Sequence, residues 1–105
     1  VFCAGGLRVS GSGIPEMDGI YCPDGTENDG PVWTKVGGVR LANSIYQPSF
    51  EGEPLSYLVM TNGAAFEVDP TLSPYYSSVD PLGGWGQYLA FGTEGPLPAP
   101  TVVAV

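Results

Sequence analysis

The chain has 105 residues, 43% of them hydrophobic, which bounds it to one domain with a real core and excludes wholesale disorder. Eleven acidic residues face only Arg8, Lys35 and Arg40, a formal net charge of -8, so the chain cannot build the basic stripe that nucleic acid requires, and an anionic membrane surface repels it. No apolar run approaches the roughly 18 residues of a membrane span, and no basic, apolar leader is present, so a secreted form is expected to have lost its leader.

The 16 glycines and 11 prolines interrupt almost every ten-residue window, and both disfavour helix interiors. Short runs rich in Val, Ile, Tyr and Phe stand between them. In chain order the pattern predicts strands near Leu7 to Ser10, Gly19 to Pro23, Val32 to Val36, Val39 to Leu41 and Ser44 to Gln47. Further strands are predicted near Leu55 to Thr61, Ala65 to Val68, Tyr75 to Ser78, Gln87 to Phe91 and Thr101 to Val105. Asn62-Gly63 is the strongest hairpin signal, Gly37-Gly38 offers a second tight turn, and Asp24 to Pro31 reads as a longer polar loop. Many short strands with such turns predict an all-β, antiparallel sandwich or barrel-like fold. It is divided here into a domain of residues 1–95 and a Pro-rich arm with a terminal strand, residues 96–105.

The two cysteines, Cys3 and Cys22, occur in a chain without histidine, which leaves too few ligands for a Cys/His zinc site. A disulfide between them is expected, with two free buried thiols as the alternative. It would close a loop worth about 3 kcal/mol in the chain-entropy model and imply an oxidising, extracellular compartment.

Residues 96–105 carry the most information. Pro96-Leu97-Pro98-Ala99-Pro100 is stiff and extended, and Thr101 to Val105 is an apolar strand former with no gatekeeping charge, which must be covered. It is either the last strand of its own sheet or a strand inserted into the sheet of the next copy. On the second reading Pro98, Pro100, Thr101, Val102, Val103 and Val105, with Val1 and Phe2 at the other end, are subunit-interface residues, and the partner is a second copy joined head to tail.

Catalysis finds little support. Serines have no histidine base, and Lys35 is not preceded by Ser-x-x-Lys. The carboxylates, Glu51 with Glu53 and Glu67 with Asp69 among them, read as solvated surface charges rather than an acid–base pair. No enzyme is expected, and no cofactor. Calcium is the alternative, at the oxygen-rich stretch Asp24, Glu27, Asn28 and Asp29, although Asp29 stands where an EF-hand needs glycine; the plainer reading is a polar turn. Trp33, Tyr76 and Trp85 are candidate aromatic contacts for a protein or a glycan, against the plainer reading that the tryptophans are core. No Asn-x-Ser/Thr sequon occurs.

Several phrases also stand in a particular order: Val9-Ser10-Gly11-Ser12-Gly13-Ile14-Pro15-Glu16, Asp18-Gly19-Ile20-Tyr21, Pro31-Val32-Trp33, Pro74-Tyr75-Tyr76-Ser77-Ser78, Gly84-Trp85 and Pro98-Ala99-Pro100-Thr101-Val102. Together they resemble a small β-domain module repeated in microbial, algal and phage surface proteins. They are also similar to protomers of extracellular protein filaments from environmental water. The resemblance covers most of the chain. It implies an extracellular building block and brings no catalytic residues. The chain departs from a tandem array in being one module with a cysteine pair near its start, so its assembly is expected to be non-covalent. The functional expectation is a structural subunit of an extracellular filament or surface layer, with a glycan- or calcium-dependent adhesion module as the alternative.

Overall fold

In the computed structural model, which describes residues 3–62, 74–88 and 95–105, the β-branched and aromatic runs form strands and the Gly and Pro clusters join them. The strands are β1 (Leu7–Ser10), β2 (Gly19–Glu27), β3 (Gly30–Lys35), β4 (Ser44–Tyr46), β5 (Ser49–Phe50), β6 (Glu53–Pro54), β7 (Leu58–Thr61), β8 (Pro74–Ser78), β9 (Gly86–Gln87) and β10 (Thr101–Ala104). Eight of them form one antiparallel sheet in the order β10-β1-β2-β3-β4-β7-β8-β9, curled into a half-barrel, while β5 and β6 pair as a small separate hairpin. The barrel-like form of the expected all-β fold is therefore the one adopted. The sole helical element among the described residues is a 3₁₀ turn, Pro15–Met17.

Period-two alternation decides which side chains point inward. On β1, Leu7 and Val9 are buried while Arg8 and Ser10 are exposed. Cross-strand partners share a face, so Leu7 lies beside Tyr21, and Ile45, Met60 and Tyr76 lie side by side across β4, β7 and β8. With Val9, Leu58, Val102 and Met17 of the 3₁₀ turn they make the core. Trp33, opposite Ile45 on β3, and Trp85 pack against it half-buried. On the other face Val32 and Val59 are also buried. There Thr61 donates its hydroxyl to Leu41 O at 2.7 Å and accepts from Ser44 N at 3.1 Å, which satisfies one buried and one part-buried backbone group.

β1 to β4 and β7 to β9 run as a meander, but β10 returns to pair with β1, Leu7 opposite Ala104 and Val9 opposite Val102. The terminal strand thus lies in its own chain's sheet, and Val102 belongs to the core. To get there the chain must cross from the β9 edge to the β10 edge, and residues 95–100 make that crossing. Gly95 N donates to Tyr75 O at 2.9 Å, Tyr76 OH to Pro96 O at 2.6 Å, and Gly13 N to Pro98 O at 2.9 Å. Residues 96–105, set apart as an arm and strand in the sequence, are packed on the same sheet.

Cys3 and Cys22 form a disulfide, with Cα atoms 5.8 Å apart, tying the segment before β1 to β2. Two local expectations need correction. The polar loop over Asp24 to Pro31 is instead the end of β2, a two-residue turn and the start of β3, because Asn28 and Asp29 take left-handed φ values of 53° and 64°, the geometry of a tight hairpin. Gly37-Gly38 does not return the chain onto Val39 to Leu41, which form no strand. The chain takes residues 36–43 to turn, since Leu41 has φ 66° and Asn43 holds the loop through Val39 N and Lys35 N, so β3 pairs with β4. The hairpin β5–β6, with Glu51 and Gly52 at left-handed φ, was not expected. Residues 65–68 and the Asn62-Gly63 turn beyond Asn62 lie outside the described residues.

Candidate functional site

The first surface is the outer edge of β10. Val105 N donates to Gly6 O at 3.1 Å, so antiparallel alternation turns the amides of Val103 and Thr101 towards β1 and those of Val102 and Ala104 outward. Among the described residues no strand pairs with that outer side. Thr101, Val103 and Ala104 expose their side chains, Val102 is buried and Val105 half-buried, and none is charged. Such an edge is a template for another strand. Pro98 is exposed and Pro100 buried. Val1 and Phe2, the other expected interface residues, lie outside the described residues.

The second surface is a groove of about 210 Å³ at one end of the sheet's inner face. Trp33, Tyr57 and Leu58 line it together with Pro31, Gln47, Ser56, Val79 and Pro81. Trp33 is fixed there because its indole N–H donates to Gly5 O at 3.0 Å. Val79 is 82% exposed, an uncommon state for a valine, and Leu82 three residues on is 52% exposed. The three candidate aromatics do not form one site. Trp33 lines the groove. Trp85 does not line it; its N–H donates to Pro81 O at 3.0 Å and its ring packs against the core. Tyr76 is wholly buried, so it is a core and latch residue and not a surface contact. Of the adjacent tyrosines Tyr75 and Tyr76, strand alternation sends the second inward. Tyr57 stands on the groove wall with its ring 6.2 Å from that of Tyr88.

The acidic stretch is organised by Arg40. Its guanidinium lies 3.7 Å from Asp24 Oδ2 and 3.5 Å from Glu27 Oε1, and donates to Thr26 O at 2.8 Å. Asp24 Oδ2 also accepts from Thr34 Oγ1 at 2.8 Å, and Asn28 donates its side-chain amide to Gln47 O at 2.9 Å. Asp24, Glu27 and Asn28 therefore each have a protein partner, and Asp29 is exposed on the turn. Among the described residues no three Cys, Asp or Glu side chains are grouped to hold a metal ion.

Four tyrosines are pushed above their ordinary ionisation range. Burial raises Tyr21, reinforced by the Asp18 carboxylate, and Tyr76. Burial also raises Tyr46 to about 12, with Glu27 adding to it, and Tyr88 to about 12, with help from Tyr57. All four hold their protons at neutral pH, and Tyr21 and Tyr76 donate theirs to Met17 O and Pro96 O. No family model matches the chain, and neither does any curated protein or solved structure.

Proposed function

We propose that this chain is a structural subunit of an extracellular filament or surface layer that assembles from copies of itself through β-strand contacts. The outer edge of β10 carries the reading. It offers outward amides at Val102 and Ala104 on a short, uncharged strand that carries no lysine and no bulge, with Pro100 before it. A sheet with β10 at one edge and β9 at the other can continue from copy to copy. Such a heterologous contact gives a filament when its rotation does not close into a ring. The Cys3–Cys22 disulfide supports an oxidising compartment, and no described helix is long and apolar enough to cross a membrane. The net charge of -8 keeps finished fibres apart.

Removing Thr101 to Val105 would also strip Val102 from the core, so the test is a point change. Ala104→Pro deletes an outward N–H and leaves the amides that bond to β1 in place, a position where an edge strand tolerates proline. By negative-stain electron microscopy at neutral pH the unaltered protein should form regular fibres. Ala104→Pro should form none while keeping its melting temperature within a few degrees. Monomers of the unaltered protein at every concentration would overturn the reading. One observation favours a second reading, a glycan-binding module: Trp33 and Tyr57 share an open groove. A rise in melting temperature with added oligosaccharides would support it.

A further inference from the structure

We infer that the Cys3–Cys22 disulfide is a redox switch on the outer edge of β10. Oxidised, it holds the turn of residues 3–6 that keeps the end of that edge in line for a second copy; reduced, it releases the turn and slackens the edge. For what the edge receives, the inference rests on the assembly reading above.

The turn of residues 3–6 is closed by Gly6 N, which donates to Cys3 O at 3.0 Å. Its other two carbonyls reach different parts of the sheet. Gly5 O accepts the indole N–H of Trp33 on β3 at 3.0 Å, and Gly6 O accepts Val105 N, just beyond β10, at 3.1 Å. The disulfide ties the first residue of the turn to Cys22 on β2. One covalent bond therefore stands behind both of these hydrogen bonds.

That bond, rather than burial, secures the turn. Ala4 and Gly5 are exposed, and Gly6 is buried but has no side chain. A Cβ on Gly6 would overlap Cys3 Sγ and crowd Tyr21 O, so the turn lies flat on β2 against the disulfide itself. Among the described residues the segment before β1 brings no large apolar side chain to the core. Hydrogen bonds of modest net worth do not alone offset the backbone entropy of ordering such a segment. The disulfide makes up the difference by keeping the turn beside its partners.

The edge depends on this directly. The amides of Val103 and Val105 point at β1, and that of Ala104 between them points out. Ala104 supplies one of the two outward amides of the edge. Without Val105 N on Gly6 O it is held from one side only, and strand ends held in that way open first. Val102 alone is too short a template for a second strand. Both cysteines are half-buried, so neither is sealed in the core. A dithiol supplies two electrons and two protons: the Cys3–Cys22 bond breaks into two thiols while the reductant closes to its own disulfide, and a small disulfide reverses the exchange. In a reducing compartment the edge is slack and copies stay apart. In an oxidising one the bond forms and the edge is complete.

The test compares the protein oxidised, reduced with dithiothreitol, and reoxidised with oxidised glutathione. Cys3→Ser combined with Cys22→Ser is the permanently open form. Nuclear magnetic resonance reads the switch without fibres. On reduction the Trp33 indole resonance should move, and the Val105 amide should exchange within about tenfold of an unstructured peptide, while the amides of β7, a strand with neighbours on both sides, stay protected by about a hundredfold or more. Electron microscopy reads the consequence. Reduction should raise the concentration needed for fibres by about tenfold or more, and reoxidation should restore it. The double serine variant should match the reduced protein and ignore dithiothreitol. Val105 and Trp33 unchanged on reduction would overturn the switch. So would loss of β7 protection in step with Val105, which would make the disulfide a stabiliser of the whole domain. Local release with fibres unaffected would overturn the inference and leave the assembly reading. Local release with no fibres in either redox state would sink the assembly reading and leave the switch standing on the monomer's edge.

Discussion

Gly13 shows how much of this fold hangs on single atoms. A Cβ built there would overlap the Pro96 carbonyl and crowd Leu97 O, while the Gly13 amide donates to Pro98 O at 2.9 Å. The arm can lie flat across the half-barrel only because this residue has no side chain. Gly13→Ala should therefore lift the arm, at about 1–3 kcal/mol, the usual cost of overpacking. Gly86→Ala is the control, because its Cβ would meet nothing within 4 Å and its φ is unremarkable. Urea unfolding of both variants checks this, and equal midpoints would mean the crossing is not held at Gly13. The glycine was visible in the sequence inside Ser12-Gly13-Ile14-Pro15. Its role was not, because the atoms that forbid a side chain belong to a residue more than eighty positions away. Tyr76 is a similar case: its type and strand were legible, but not that its hydroxyl would serve as the latch on Pro96.

At the scale of elements, what could be read were features set by neighbours in sequence. β1 was expected over the residues where it forms, and β8 and β10 to within a residue at one end, because alternation and flanking turn residues mark them. The loop 36–43 misled the reading because Gly37-Gly38 looks like a two-residue turn, whereas Asn43 and the left-handed Leu41 fix a wider one. The β2–β3 hairpin was missed for the opposite reason. Its turn is Asn28-Asp29, one residue short of the Asn-Gly pair that would have announced it, and Gly30 already lies in β3. That near miss yields a prediction. Asp29 at φ 64° bears left-handed strain of roughly 1–2 kcal/mol, at the low end for an Asp, against roughly 0.5–1 kcal/mol of extra chain entropy that glycine must lose. Asp29→Gly should stabilise the domain by about 0.5 kcal/mol, raising the urea midpoint slightly. A lower midpoint would mean that the Asp29 side chain contributes more than its backbone strain costs. The Arg40 pairs with Asp24 and Glu27 should be indifferent to the change, since exposed ion pairs contribute at most about 1 kcal/mol and Asp29 takes no part in them.

For the molecule as a whole, the fold class was legible and the closure was not. Composition excluded helices and supplied the strands, yet the return of β10 to β1 depends on Val102 meeting Val9 and on an arm that spans the sheet, contacts between the two ends of the chain. The candidate surfaces divide the same way: the uncharged terminal strand could be read directly, but the groove joins Pro31 and Trp33 to Val79 and Pro81 only once β3 and β8 are folded into one sheet. The same folding buries tyrosines from both halves and gives the whole domain a pH signature. With no histidine, and both cysteines in a disulfide, the side chains supply no group that ordinarily titrates between about pH 5 and 9. An unfolded tyrosine ionises near pH 10, whereas Tyr46 and Tyr88 are pushed up to about 12 and Tyr21 and Tyr76 are raised by burial. The folded state then keeps protons that the unfolded state gives up, so the stabilisation is fully present below pH ~10 and is lost as pH climbs from there through about 12. The unfolding free energy should be flat from neutral pH to about 9.5 and fall steeply above 10. The phenolate absorbance of these four tyrosines should rise late and cooperatively with the loss of β-sheet circular dichroism. Early, gradual phenolate formation near pH 10 with the sheet intact would mean that these rings are open to water, and the latch that Tyr76 makes on the arm would lose its support.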